Sequence, residues 1–174
     1  MKTKEELLDW LRDAHAMETA MTIALQKQCQ NDQAPLALRE VLASHLNETE
    51  RHAELVEQCL RDLGSETSTL KDAAANSMEW MKGAASKLAR DEVIKDMLAS
   101  CGEEHFEIAC YTALKVAGQQ LGLLEVITTA DTILEDEYRM AAWLDKHIPD
   151  TIRDYLSGQI DNLPGTVGDP NAAG

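Results

Sequence analysis

Apolar residues near the start of the chain recur at steps of three and four. Leu8, Leu11, Leu25 and Cys29 share one line with His15, Glu18 and Thr22, which predicts an amphipathic helix from Thr3 to about Asn31. Thr3 and Glu6 have the spacing of a capping box at its start. A second stripe of Leu38, Val41/Leu42, Leu55/Val56, Cys59/Leu60 and Leu63 predicts a helix opening at Pro35 and stopping at Gly64, antiparallel to the first. From Ser65 the pattern loosens. Leu70, Ala74, Met78 and Met81 carry a short stripe, so a crossover of roughly 25 residues with a shorter helix is expected, its Trp80 and methionines covering the bundle or a subunit contact. Val93/Ile94, Met97, Cys101, Glu104, Glu107/Ile108, Tyr111 and Leu114 then predict a helix from Asp91 to the Gly118–Gly122 region. Leu124, Ile127, Asp131, Leu134, Glu137, Ala141, Leu144 and Ile148 predict a last long helix, from about Leu123 to a stop at Pro149. Thr151 to about Ile160 reads as a terminal helical turn or two. The expected division is a helical domain over 1–162 and a Gly/Pro-rich, disordered tail over 163–174.

The stripes contain residues that do not belong in an apolar core. His45, Glu48 and His52 interrupt the second, Glu18 the first, Glu104 and Glu107 the third, and Glu137 the fourth. Glu18 and Glu48 are 30 positions apart, as are Glu107 and Glu137, so the two predicted hairpins superpose with an offset of 89. A repeated hairpin of this kind brings all four glutamates to one level. Glu104 and His45 each sit one turn before a member of that quartet and point at the same space. Five carboxylates cannot share a dry core unless they are protonated, hydrated or neutralised by cations. Two divalent metals bridged by glutamates solve the charge problem, and an oxygen-rich shell favours iron or manganese over zinc or copper(I). A satisfied core histidine or a solvated glutamate would explain any one of these residues alone. Matched spacing on four helices is the more specific signal. His52 and His15 read as outer or surface residues, Asp131 lies too far from Glu137 to join, and Tyr111, one turn after Glu107, is placed to hydrogen-bond a ligand.

Composition narrows the function classes. The 174 residues suffice for one core, and 4% aromatic content with abundant Ala, Leu and Glu favours an all-α fold. A formal charge of −15 disfavours nucleic acid and anionic membrane as partners. The charged opening Met1 to Asp9 and the lack of a long apolar run point to a cytoplasmic protein. Cys29, Cys59, Cys101 and Cys110 show no zinc spacing and read as core thiols.

Several phrases carry a family resemblance: Asp9-Trp10-Leu11-Arg12-Asp13-Ala14-His15-Ala16-Met17-Glu18, His45-Leu46-Asn47-Glu48-Thr49, Glu104-His105-Phe106-Glu107-Ile108-Ala109-Cys110-Tyr111, Ile133-Leu134-Glu135-Asp136-Glu137 and Trp143-Leu144. Together they resemble the bacterial YciE/YciF ferritin-like family, most closely its YciE branch. The resemblance implies a ferritin-like four-helix bundle, a dinuclear metal site at Glu18, His45, Glu48, Glu104, Glu107 and Glu137, a homodimer and a role in stress response. Two departures from the wider ferritin pattern stand out. The second helix reads His-x-x-Glu rather than Glu-x-x-His, and Glu137 is followed by Met140 and Ala141 where a histidine would be expected. Three readings remain: peroxide or oxygen chemistry at a di-iron or di-manganese centre, iron binding or storage without turnover, and a helical scaffold with a vestigial site.

Overall fold

The computed structural model describes residues 2–32, 34–66 and 92–157. Among these residues the chain forms four long helices, α1 (Lys2–Cys29), α2 (Leu36–Asp62), α3 (Glu92–Leu121) and α4 (Leu124–Ser157), and no strand. The all-α expectation holds, and the helices form a bundle. The expected crossover helix over 70–81, the contact role of Trp80 and the tail over 163–174 lie outside the described residues.

The helix ends follow local chemistry. Pro35 is the N-cap residue of α2, one position ahead of its expected place inside the helix. At the other end Gly64 adopts φ 76°, and the Gly64 and Ser65 amides donate to the carbonyls of Arg61 and Leu60. Gly122, at φ 68°, closes α3 in the same way, its amide donating to Gln119 and that of Leu123 to Gly118. Both are Schellman closures, which need a left-handed residue that glycine adopts without strain. The capping box foreseen at Thr3 is displaced, because α1 already begins at Lys2.

The two hairpins, α1 with α2 and α3 with α4, are the most extensively packed pairs; α2 against α4 and α1 against α3 complete the ring. Two apolar clusters fill it. One joins Leu7 and Leu11 of α1, Val56 and Leu60 of α2, Tyr111 and Leu114 of α3, and Val126 and Ile133 of α4. The other joins Leu25, Leu38, Val41, Leu42, Val93, Met97, Met140, Trp143 and Leu144. The start of α1 and the end of α2 thus lie level with the end of α3 and the start of α4. Helices α1 and α4 run one way, and α2 and α3 the other. The end of α2 and the start of α3 consequently lie at opposite ends of the bundle.

Two expectations about α4 need correction. Leu124 is 68% exposed, because it sits at the bundle's end just beyond the turn; Val126, Ala130 and Ile133 form the inward line there instead. Pro149 lies inside α4 rather than ending it. Proline removes one amide donor and disfavours helical geometry at the preceding residue. The helix continues nonetheless, since the following turn buries Thr151, whose hydroxyl donates to the His147 carbonyl at 2.9 Å. Tertiary packing outweighs the local penalty. Pro149→Ala, at an exposed position, should restore the missing bond and raise stability by about 1–3 kcal/mol, less some loss from a freer unfolded chain. Urea unfolding of the two proteins checks this, and a less stable alanine variant would overturn it.

Candidate metal centre

Between the two apolar clusters lies a layer of buried acids and imidazoles: Glu18 from α1, His45 and His52 from α2, Glu104 and Glu107 from α3, and Glu137 from α4. Helical geometry and contacts from the neighbouring helices together decide who reaches it. Seven residues bring His52 back to within about 20° of the line of His45, whereas Glu48 is turned about 60° from that line. Glu104 and Glu107 stand one turn apart on α3 and both face inward.

The potential ligand atoms form two groups. His45, Glu104, Glu107 and Glu137 each offer one atom, all within 4.8 Å of one another, and so do Glu18, His52 and Glu137. Glu137 belongs to both. His45 Nε2 lies 3.2 Å from Glu104 Oε1 and 3.9 Å from Glu137 Oε2, while His52 Nδ1 lies 3.0 Å from Glu137 Oε1 and 3.7 Å from Glu18 Oε2. Yet Glu18 Oε2, His52 Nδ1, Glu104 Oε2, Glu107 Oε1 and both Glu137 oxygens have no aligned hydrogen-bond partner. Each such buried atom costs about 1–3 kcal/mol if nothing else satisfies it.

A second ring of contacts orients the first. His45 Nδ1 meets Glu48 Oε2 at 3.2 Å, and His52 Nε2 meets Asp136 Oδ2 at 3.1 Å. Arg139 Nη2 donates to both Glu48 Oε1 and Asp136 Oδ1 at 2.6 Å, and Arg51 also pairs with Asp136. The Tyr111 hydroxyl donates to Glu18 Oε1 at 2.5 Å. Each imidazole therefore has one nitrogen against an outer carboxylate and the other facing the layer, the usual arrangement of a metal-ligating histidine.

Of the residues singled out in the sequence, Glu18, His45, Glu104, Glu107 and Glu137 come together. Glu48 does not join either group: its side chain is 24% exposed and is held by His45 and Arg139. His52, read as an outer residue, is fully buried in the layer. Its seven-residue spacing from His45 was the available signal. His15 is half-buried, and Asp131 pairs with Lys115 at 2.5 Å. Asp136 and Arg139 had no distinguishing sequence pattern.

Electrostatics follow from burial. Burial raises the pKa of Glu18, and that of Glu107 well above the carboxylate range, the latter further through the charges of Glu18, Glu137 and Glu104. Burial likewise carries Glu104 to about 8, against the opposing effect of His45. For His45 and His52 burial acts downward, but the carboxylates facing them win and raise both to about 10. Glu137, although buried, is held below its ordinary value by His52, by the adjoining Glu104 carboxyl and by the imidazolium charges. At neutral pH, protons on His45, His52 and Glu104 thus stand in for metal charge. The donor set also fits metals. Four ionised glutamates and two neutral imidazoles supply the four negative charges that balance two divalent ions.

The architecture is that of a helical bundle with a buried acid and histidine layer. A family model described as "Domain of unknown function (DUF892)" matches residues 2–157, and the chain belongs to that family. Among solved structures it is similar to a protein from Xanthomonas campestris pv. campestris (29% identity, 91% of this chain and 99% of that one, TM-score 0.76). It is also similar to the E. coli stress protein YciF (21% identity, 88% and 99%, TM-score 0.73), a likeness of fold. YcfI from Rhodopseudomonas palustris matches at 26% identity over 83% of this chain and 94% of its own, with TM-score 0.70.

The pKa shifts fix the sign of a pH effect on the metal-free protein. Glu104 keeps its proton up to about 8 when folded and loses it near 4.5 when unfolded; His45 and His52 keep theirs to about 10 against 6.5. Stability from these groups is full below the unfolded values and is lost as pH rises through the folded ones. In excess chelator the melting temperature should therefore fall between pH 7 and 10. A flat or rising profile would contradict the assigned protonation.

Proposed function

We propose that this chain is a dinuclear iron or manganese protein that reacts with peroxide or oxygen. The observation that carries the reading is the convergence of buried ligand-type side chains from four helices into two groups that share Glu137, most of them carrying an oxygen or nitrogen without an aligned hydrogen-bond partner. His45, Glu104, Glu107 and Glu137 would hold one ion, and Glu18, His52 and Glu137 the other. Glu48, by its contact with His45 Nδ1, is an orienting residue in this geometry, and becomes a direct ligand only by turning away from Arg139. Carboxylate oxygens with imidazole nitrogen favour iron or manganese over softer metals. Two such ions, once bound, supply the paired electron steps that reduce peroxide or oxygen.

The chain's own residues do the rest. Apolar clusters on either side keep water from the layer. Asp136 and Glu48 hold the imidazoles, and Glu48, part exposed, is placed to take the Nδ1 proton of His45 toward solvent. Tyr111 fixes one Glu18 oxygen and leaves the other facing the layer. Four free cysteines suit a reducing cytoplasm. The resemblance to the YciE/YciF group, with its YciE branch nearer, supports a stress-response role carried out by a homodimer.

Elemental analysis after loading with iron or manganese should find about two ions per chain, the number expected for a carboxylate-bridged pair. Glu137→Gln should weaken both and Glu18→Gln one. Equal loss from the two variants, or no loading at all, would sink the shared-glutamate arrangement. Loaded wild-type protein should consume peroxide and Glu107→Gln should not; binding without turnover, in a particle of cage-like mass by light scattering, would support storage instead.

A further inference from the structure

The two buried imidazoles are not held with equal security from behind. His45 turns Nδ1 outward to Glu48 Oε2 at 3.2 Å, and His52 turns Nε2 outward to Asp136 Oδ2 at 3.1 Å. Although burial acts upward on both acids, His45 with Arg139 holds Glu48, and His52 with Arg139 holds Asp136, below the ordinary carboxylate value. Both acids are thus ionised and can only accept. His45 Nδ1 and His52 Nε2 therefore carry protons whatever the layer contains.

Two guanidiniums reach these acids at the seam between α2 and α4. Arg139 Nη2 has two hydrogens and donates one to Glu48 Oε1 and the other to Asp136 Oδ1, each at 2.6 Å. Arg51 pairs with Asp136 through its other oxygen, Oδ2. Among the described residues Glu48 thus has one arginine and Asp136 two. Glu48 is also the more exposed, at 24% against 9%, so water competes for it once its arginine is gone.

We infer that Arg139 is the positioning residue of His45, acting through Glu48, and that it ties this support to that of His52 through Asp136, where Arg51 provides a second hold. The consequence for metals rests on the dinuclear reading. There, Arg139 sets the aim of His45 Nε2 into the layer, while His52 Nδ1 keeps its aim without it.

Nuclear magnetic resonance of the metal-free, full-length protein tests the inference without any ion. A ring N–H gives a sharp, far-downfield proton signal only when it is shielded from exchange with water. Isotopic labelling of the ring nitrogens separates Nδ1–H from Nε2–H, and loss in His45→Gln or His52→Gln assigns each signal. Arg51 and Arg139 are 52% and 44% exposed, so replacing them does not open the core, and circular dichroism confirms each fold. Arg139→Gln should lose the His45 Nδ1–H signal and keep the His52 Nε2–H signal, Arg51→Gln should keep both, and the double variant should lose both. A merely structural arginine would shift the melting temperature without singling out one ring. A missing His45 signal in wild type, its survival in Arg139→Gln, loss of either signal in Arg51→Gln, loss of the His52 signal in Arg139→Gln, or its survival in the double variant would each overturn the inference. After manganese loading and dialysis, Arg139→Gln should retain fewer ions than wild type by elemental analysis, and Arg51→Gln as many; equal retention in Arg139→Gln would overturn the consequence for metals. Wild type that retains none defeats the dinuclear reading, and the ring signals still decide the positioning role.

Discussion

Everything in this bundle is arranged around the cost of keeping four carboxylates in one buried layer. Glu18, Glu104, Glu107 and Glu137 are all but inaccessible to water, and the positive groups facing them are His45 and His52. Repulsion and desolvation at such a place are worth several kcal/mol per ion unless compensated. Protons can compensate, and so can metal ions; both demand the same convergent geometry. The apolar clusters on either side are the complement of that demand, for they hold the helices at the spacing the layer needs.

The outer contacts show how two halves of the layer are tied. Glu48 and Asp136 sit behind His45 and His52, and Arg139 holds both carboxylates at once. A single guanidinium thereby fixes the orientation of two imidazoles on another helix. Arginine suits this task, since its planar fork reaches two acceptors without deprotonating.

Much of the fold was legible because hydrophobic period and glycine stops act locally. The stripes through Leu11, Leu42, Met97 and Leu144 lie in the core, and Gly64 and Gly122 close their helices as local chemistry demands. The buried acids were legible because they interrupt those stripes at matched spacings. What escaped were matters settled across helices. Glu48 shares the 30-residue spacing of Glu137, but Arg139 of α4 draws it outward, and nothing near Glu48 in sequence announces that partner. His52 sat on the right line, yet its burial depends on Asp136, which comes 84 residues later. Pro149 breaks a local rule because Thr151 beyond it finds a buried place.

The layer also bears on how the bundle holds together. Each hairpin packs extensively within itself and less so against the other. Both ligand groups draw on the two hairpins, Glu18, His45 and His52 from the first and Glu104, Glu107 and Glu137 from the second. Whatever charge fills the layer therefore acts as a clasp across the weaker seam. Parting the hairpins would therefore break both ligand groups at once and open the layer to water.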